Sequence, residues 1–89
     1  MVGYEVLIAD SVDDYLSGLS AAEREKIVKR LRLLEENPRS AGEFRGKFWI
    51  LKVGQAGYRL AFRILEEEKQ IRVTNIARRK SLEYREFYD

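Results

Sequence analysis

The sequence predicts a small α+β domain of order β-α-α-β-β-β. An antiparallel sheet packs on a helical hairpin, and a short C-terminal tail or helix follows. Three observations predict it. Apolar residues recur at helical spacing between Val12 and Leu34. From Phe48 to Ile76 the apolar period shortens to two, as in a strand with one covered face. Glycine, proline and charged runs separate these stretches. With 89 residues the chain makes one domain, 1–89, around one small core.

Each element has its own signal. Tyr4 to Ile8 is rich in β-branched and aromatic residues and reads as a short strand. Ser11-Val12-Asp13-Asp14 reads as a helix start, with Ser11 as cap and acids in the first turn. Val12, Tyr15, Leu16 and Leu19 form its apolar stripe, and Gly18 ends it. Ser20-Ala21-Ala22-Glu23 is a capping box that opens the longest helix. Ile27, Val28, Leu31 and Leu34 line one face of that helix. It is expected to run to about Asn37, where Pro38 stops it. Residues 38–46 read as a loop. Trp49, Leu51 and Val53 then alternate with Phe48, Ile50 and Lys52. After the Gly54–Gly57 turn, Tyr58, Leu60, Phe62 and Ile64 alternate with Arg59, Ala61 and Arg63. Glu66 to Lys69 is a polar turn, and Ile71 and Val73 open the last strand. Ser81 or Leu82 begins the tail.

Composition limits the chemistry. The chain has no histidine and no cysteine, so disulfides and thiolate or imidazole metal sites are excluded. Any catalysis must use Lys, Arg, Tyr and carboxylates. A content of 45% hydrophobic and 36% charged residues argues for a globular chain over a disordered one. No apolar run approaches the ~20 residues that span a bilayer. No signal peptide is read at the N-terminus, and the expected location is the cytoplasm.

Charge is unevenly spread. Residues 1–44 carry six basic and nine acidic side chains, whereas residues 45–89 carry eleven basic and six acidic. The asymmetry points to a polyanionic partner on the C-terminal side, against the plain alternative of a lopsided solvated surface.

The register of the hairpin concentrates that charge. A four-residue turn sets Val53 opposite Tyr58, Leu51 opposite Leu60 and Trp49 opposite Phe62, all toward the core. Lys52 then faces Arg59. Cross-strand partners share a face, so Ile50, Lys52, Arg59, Ala61 and Arg63 are expected on the open side. Opposed like charges destabilise a sheet, and an anion between them would remove the repulsion. If Ile71 and Val73 face the core, simple alternation puts Arg72 and Arg78 on the open side too. Tyr84 follows a few residues later. Taken singly, Lys52 and Arg59 fit solvated strand cations, Tyr84 fits packing and Trp49 fits the core. Glu66-Glu67-Glu68 fits a solvated turn.

The element order, the Gly57-Tyr58-Arg59-Leu60 strand start and the basic C-terminal segment ending in Tyr84 together resemble the RelE/ParE toxin superfamily of toxin–antitoxin pairs. The likeness lies nearest the RelE branch and covers nearly the whole chain. It implies an mRNA endonuclease acting in the ribosomal A site, held in check by a cognate RelB-like antitoxin, through which higher assembly would form. It implies site residues Lys52, Arg59, Arg78 and Tyr84. Arg45, Lys47, Arg63, Arg72, Arg79 and Lys80 are the further cations expected to contact RNA. Arg79 competes with Arg78 for the site position. Where better-known members carry a second lysine, this chain has Ile50. No cofactor, metal or membrane is implied.

RNA carries its own nucleophile, so attack of the 2′-OH on the adjacent phosphate needs no metal. It gives a cyclic phosphate and a 5′-OH. The resemblance implies Tyr84 as base, with Lys52 as the alternative, Arg59 on the phosphate and Arg78 stabilising the transition state. The leaving-group acid is left open. Two rival functions stand beside this one. A ParE-like chain would poison gyrase, and a non-catalytic RNA- or ribosome-binding domain would use the basic face for phosphates alone.

Overall fold

The computed structural model describes residues 3–54 and 57–78. In chain order the elements are β1 (Glu5–Ile8), α1 (Asp10–Ser17), α2 (Ala21–Leu33), α3 (Pro38–Ala41), β2 (Glu43–Arg45), β3 (Phe48–Val53), β4 (Tyr58–Leu65) and β5 (Gln70–Arg78). The strands form one sheet in the order β1-β5-β4-β3-β2, with the α1–α2 hairpin over one face. The α+β class and the meander β3-β4-β5 are those expected from the sequence. The tail, with Arg79, Lys80 and Tyr84, lies outside the described residues.

Two edge strands complete the sheet, and neither pairing was legible in the sequence. β1 lies parallel to β5, with Val6 beside Ile71 and Ile8 beside Val73. The sheet is therefore mixed. Parallel neighbours need a long crossover, and the helical hairpin lies within that connection. At the other edge, β2 pairs antiparallel with β3. It falls in the segment read as a loop, as does the helical turn α3. Pro38 occupies the first turn of α3, where its missing N–H costs nothing.

The helix ends also differ in detail. Ala9, not Ser11, caps α1, and it offers no side-chain bond. Its N–H donates to the Val73 carbonyl (3.0 Å), and its own carbonyl receives Val12 and Asp13. The sheet thus sets this corner. Ser20 caps α2 as expected, its Oγ accepting from Glu23 N at 3.2 Å. α2 gives way after Leu33 to three-residue turns, with Leu34, Glu35 and Glu36 donating to carbonyls three residues back. Asn37, before the proline, is pushed out of helical geometry at φ −140°.

The core lies between hairpin and sheet. Val12, Leu16, Ile27, Leu31 and Leu34 from the helices pack on Leu51, Val53, Tyr58, Leu60, Phe62, Ile71 and Val73. Trp49 is half-buried against this cluster, stacked on Phe62 at 6.2 Å and tilted on Phe44 at 5.3 Å. It belongs to the packing. Gly42 brings β2 close to this cluster, because a Cβ there would lie 2.6 Å from the Phe62 ring. At the far end, the Tyr4 hydroxyl donates to Glu66 (3.0 Å), and Arg39 pairs with the same carboxylate. This ties β1 and α3 to the β4–β5 turn. Among the described residues no helix is long and apolar enough to cross a membrane.

Candidate nucleic-acid interface

The site begins at the β3–β4 turn. Gly54 and Gly57 have φ of 60° and 82°, the left-handed region that glycine enters without steric cost. Together they set the predicted register, with Val53 opposite Tyr58, Lys52 opposite Arg59, Leu51 opposite Leu60 and Trp49 opposite Phe62. Lys52 and Arg59 thus sit side by side on the face away from the helices. Four residues along β4, about 13 Å away, Arg63 and Arg72 form a second pair of opposed cations. The Arg63 guanidinium lies over the Phe48 ring, 5.8 Å from its centroid.

Between the two pairs the face is not open. Ile50 and Ala61 are 1% and 0% exposed and pack with Phe48 and Ala77. Ile50 and Ala61 were expected on the open side among the cations, and there they form a small apolar patch closed off from solvent.

Arg78 is the main correction. A β-bulge in β5 interrupts the register: Phe62 faces Val73, whereas Ala61 faces Asn75. Thr74 is the extra residue. Beyond it the alternation flips, so Ile76 faces Leu60, Ala77 faces Arg59 and Arg78 faces Tyr58. Arg78 therefore lies on the helix-covered side, its guanidinium 5.3 Å from the Tyr58 ring centroid. Without the bulge it would have shared the face of Lys52 and Arg59. Ile76, out of phase with Ile71 and Val73, was the one trace of this slip in the sequence.

Tyr58 anchors that second environment. Its ring is buried and meets Tyr15 edge-on at 6.4 Å. Its part-buried hydroxyl donates to the Glu23 carboxylate. That hydrogen bond and desolvation raise the phenol above its ordinary pKa, and nearby Arg78 opposes them. Glu23 of the capping box thus turns its carboxylate toward Tyr58.

The sequence reading missed Glu43. It faces Ile50 across the β2–β3 pair, on the side of Lys52. Its carboxylate pairs with the Lys52 ammonium and receives Arg45 Nη2 at 3.4 Å. The hydrogen bond from Lys52 holds Glu43 below the usual carboxylate range, helped by the charges of Lys52, Arg45 and Arg59 and opposed by desolvation. Three residues of alternation are too few to reveal such a strand. Arg59 donates to the Tyr58 carbonyl at 3.3 Å, and its buried Nε has no acceptor among the described residues. Lys47 sits exposed in the β2–β3 turn. Among the described residues no group of three His, Cys, Asp or Glu side chains could hold a metal ion.

Lys52, Arg59, Arg45, Arg63 and Arg72 thus share one face, and Arg78 is on the other. What this face can do chemically is bind anions, because two cation pairs and an unsatisfied guanidinium N–H flank a dry patch.

No family model and no curated protein matches the sequence. Solved structures do match. The isolated E. coli RelE toxin is 23% identical with a TM-score of 0.76, covering 96% of this chain and 94% of that one. A mutant E. coli RelE in complex with a RelBc antitoxin peptide is 25% identical with a TM-score of 0.74, covering 96% and 90%. The archaeal RelE–RelB complex from Pyrococcus horikoshii is 20% identical with a TM-score of 0.67, covering 89% and 98%. The likeness therefore spans nearly the full length of both chains, from bacterial to archaeal toxins, and the fold of this protein is that of the RelE-like superfamily.

Proposed function

We propose that this protein is a RelE-like toxin: an endoribonuclease that cuts mRNA on the ribosome without a metal and is neutralised by a RelB-like antitoxin. The observation that carries the reading is the cross-strand pair Lys52–Arg59 on a RelE fold, with the Arg59 Nε lacking a protein acceptor among the described residues. A phosphate oxygen brought to this face would meet two cationic donors side by side, which form charge-assisted hydrogen bonds to it.

In this reading Arg59 grips the scissile phosphate, and Lys52 adds charge where the phosphorane forms. Arg63 and Arg72 track the backbone farther along, with Arg45 and Lys47 at the β2 edge. The 2′-OH attacks the phosphorus as its proton passes to the base, the P–O5′ bond breaks, and the leaving 5′-oxygen takes its proton from water. Tyr84 serves as base, with Lys52 as the alternative. Because Arg78 engages the Tyr58 ring, the weight of transition-state stabilisation moves to Arg79. Histidine is absent, so no group on this face has an ordinary pKa near neutrality. Much of the acceleration must then come from orientation, which the ribosome supplies. The partner reading is supported by neighbours solved as RelE bound to RelB-type antitoxins. A cytoplasmic site of action follows from that role.

The test is induction followed by mapping of 5′ ends on ribosome-bound transcripts. New 5′ ends within coding regions are expected for the wild type and are lost in Arg59→Ala. Intact mRNA with a DNA-damage response would favour gyrase poisoning. RNA binding without cleavage would favour a binding module.

A further inference from the structure

We propose that Glu43 is the resident anion of the Lys52–Arg59 face, and that an RNA phosphate binds there by taking its place. The inference rests on the RNA-binding reading above and adds to it how access to that face is controlled. The Glu43 carboxylate pairs with Lys52 and accepts from Arg45 at 3.4 Å. Arg59 lies across the sheet from Lys52 and acts on the same carboxylate through its charge. One carboxylate thus answers three of the cations assigned to RNA.

β2 is the means of placing it. The strand has only three residues, all exposed, at the edge of the sheet. Glu43 and Lys52 are 48% and 45% exposed, so their pair is screened by solvent and readily broken. An anion that neutralises a cationic cluster in the free protein offsets the repulsion between Lys52 and Arg59. It also competes with any incoming phosphate. A lone anion that displaces Glu43 merely trades one pair for another. A polyanionic strand that also reaches Arg63 and Arg72 gains those contacts and the release of its counterions. Glu43 is therefore a positioning residue: it directs the Lys52 ammonium toward the site and yields it to the backbone of a strand. A glutamate is ionised at neutral pH, so the competition is always present there.

The experiment measures binding of a 2′-O-methylated single-stranded oligoribonucleotide, which cannot be cut by 2′-oxygen attack. Affinity is read by fluorescence anisotropy across a salt series for wild type, Glu43→Gln and Glu43→Ala. Glu66→Gln is the control, since it removes one charge from a carboxylate of similar exposure that is also paired to cations, Arg39 and Lys69. Thermal melts verify folding. Both Glu43 variants are expected to bind about three- to fivefold tighter than Glu66→Gln. Their slope of log K against log salt should steepen by about 0.7, because in the variants the Lys52–phosphate contact releases a counterion instead of breaking an internal ion pair. Equal affinity and slope in Glu43→Gln and Glu66→Gln would mean net charge alone, and would overturn the exchange. Weaker binding by the Glu43 variants would overturn it too. If wild type and variants alike leave the oligonucleotide free, the RNA reading itself has failed, a result distinct from binding that ignores Glu43.

Discussion

Arg78 stacks over the Tyr58 ring, 5.3 Å from its centroid, on the side of the sheet that the helices cover. Its register partner is Tyr58, while Arg59 faces Ala77. The last described arginine of β5 is thus separated by the sheet from the Lys52–Arg59 pair. Three predictions concern this arrangement and the packing beneath it.

Arg78 and Arg79 should separate in function. If Arg79 stabilises the transition state, Arg79→Ala should lower ribosome-dependent cleavage by about 10²–10³-fold, as loss of an oxyanion donor does. Arg78→Ala should cut far less activity. It should instead destabilise the fold by about 0.5–1 kcal/mol through the lost cation–π contact. Single-turnover cleavage and thermal melts of both variants check this. The reverse pattern, with activity lost only in Arg78→Ala, would place the site arginine on the Tyr58 side.

Tyr58 should give the protein an alkaline limb. Its phenol is raised from its ordinary value of 10.0, chiefly by the bond to Glu23 and by desolvation. A tyrosine whose folded pKa is raised contributes stability that is fully present below the unfolded pKa. That stability is lost as pH rises through the folded value. Tyr58→Phe should cost about 1 kcal/mol near neutrality, because the Glu23 carboxylate loses its donor. Above pH 10 the wild type should lose stability faster than the variant, so the two urea-unfolding curves converge. Parallel curves between pH 8 and 11 would remove the Glu23–Tyr58 bond from the account.

Gly42→Ala tests close approach in the absence of backbone strain. Its φ of −114° suits any residue, so only space is at issue. The added methyl would lie 2.6 Å from the ring of Phe62, itself 0% exposed and unable to swing into solvent. Overpacking of this kind costs about 1–3 kcal/mol. A lower melting temperature is expected, with tighter RNA binding if the shift of β2 draws Glu43 off Lys52. An unchanged melt would show that β2 sits farther from the core.

How much was legible in the chain differs from strand to strand. The Lys52–Arg59 pair was readable because four turn residues and strict alternation on both sides admit one register. Arg78 was misplaced because alternation is blind to an inserted residue, and Thr74 is one. Glu43 was missed because a three-residue strand has no period to detect. The openness of the central face was overestimated because Ile50 and Ala61 read as outward positions, though they cover each other with Phe48 and Ala77.

The sequence by itself determined the two helices of the hairpin, the meander, the β3–β4 register and the absence of imidazole and thiol chemistry, since these follow from local periodicity, turn residues and composition. Only the tertiary structure decided the two edge strands, the side on which Arg78 lies and the seating of Glu43 on Lys52. Those depend on which distant backbone supplies hydrogen-bond partners to an edge and on where a strand slips by one residue. Both are set by contacts between segments far apart in the chain.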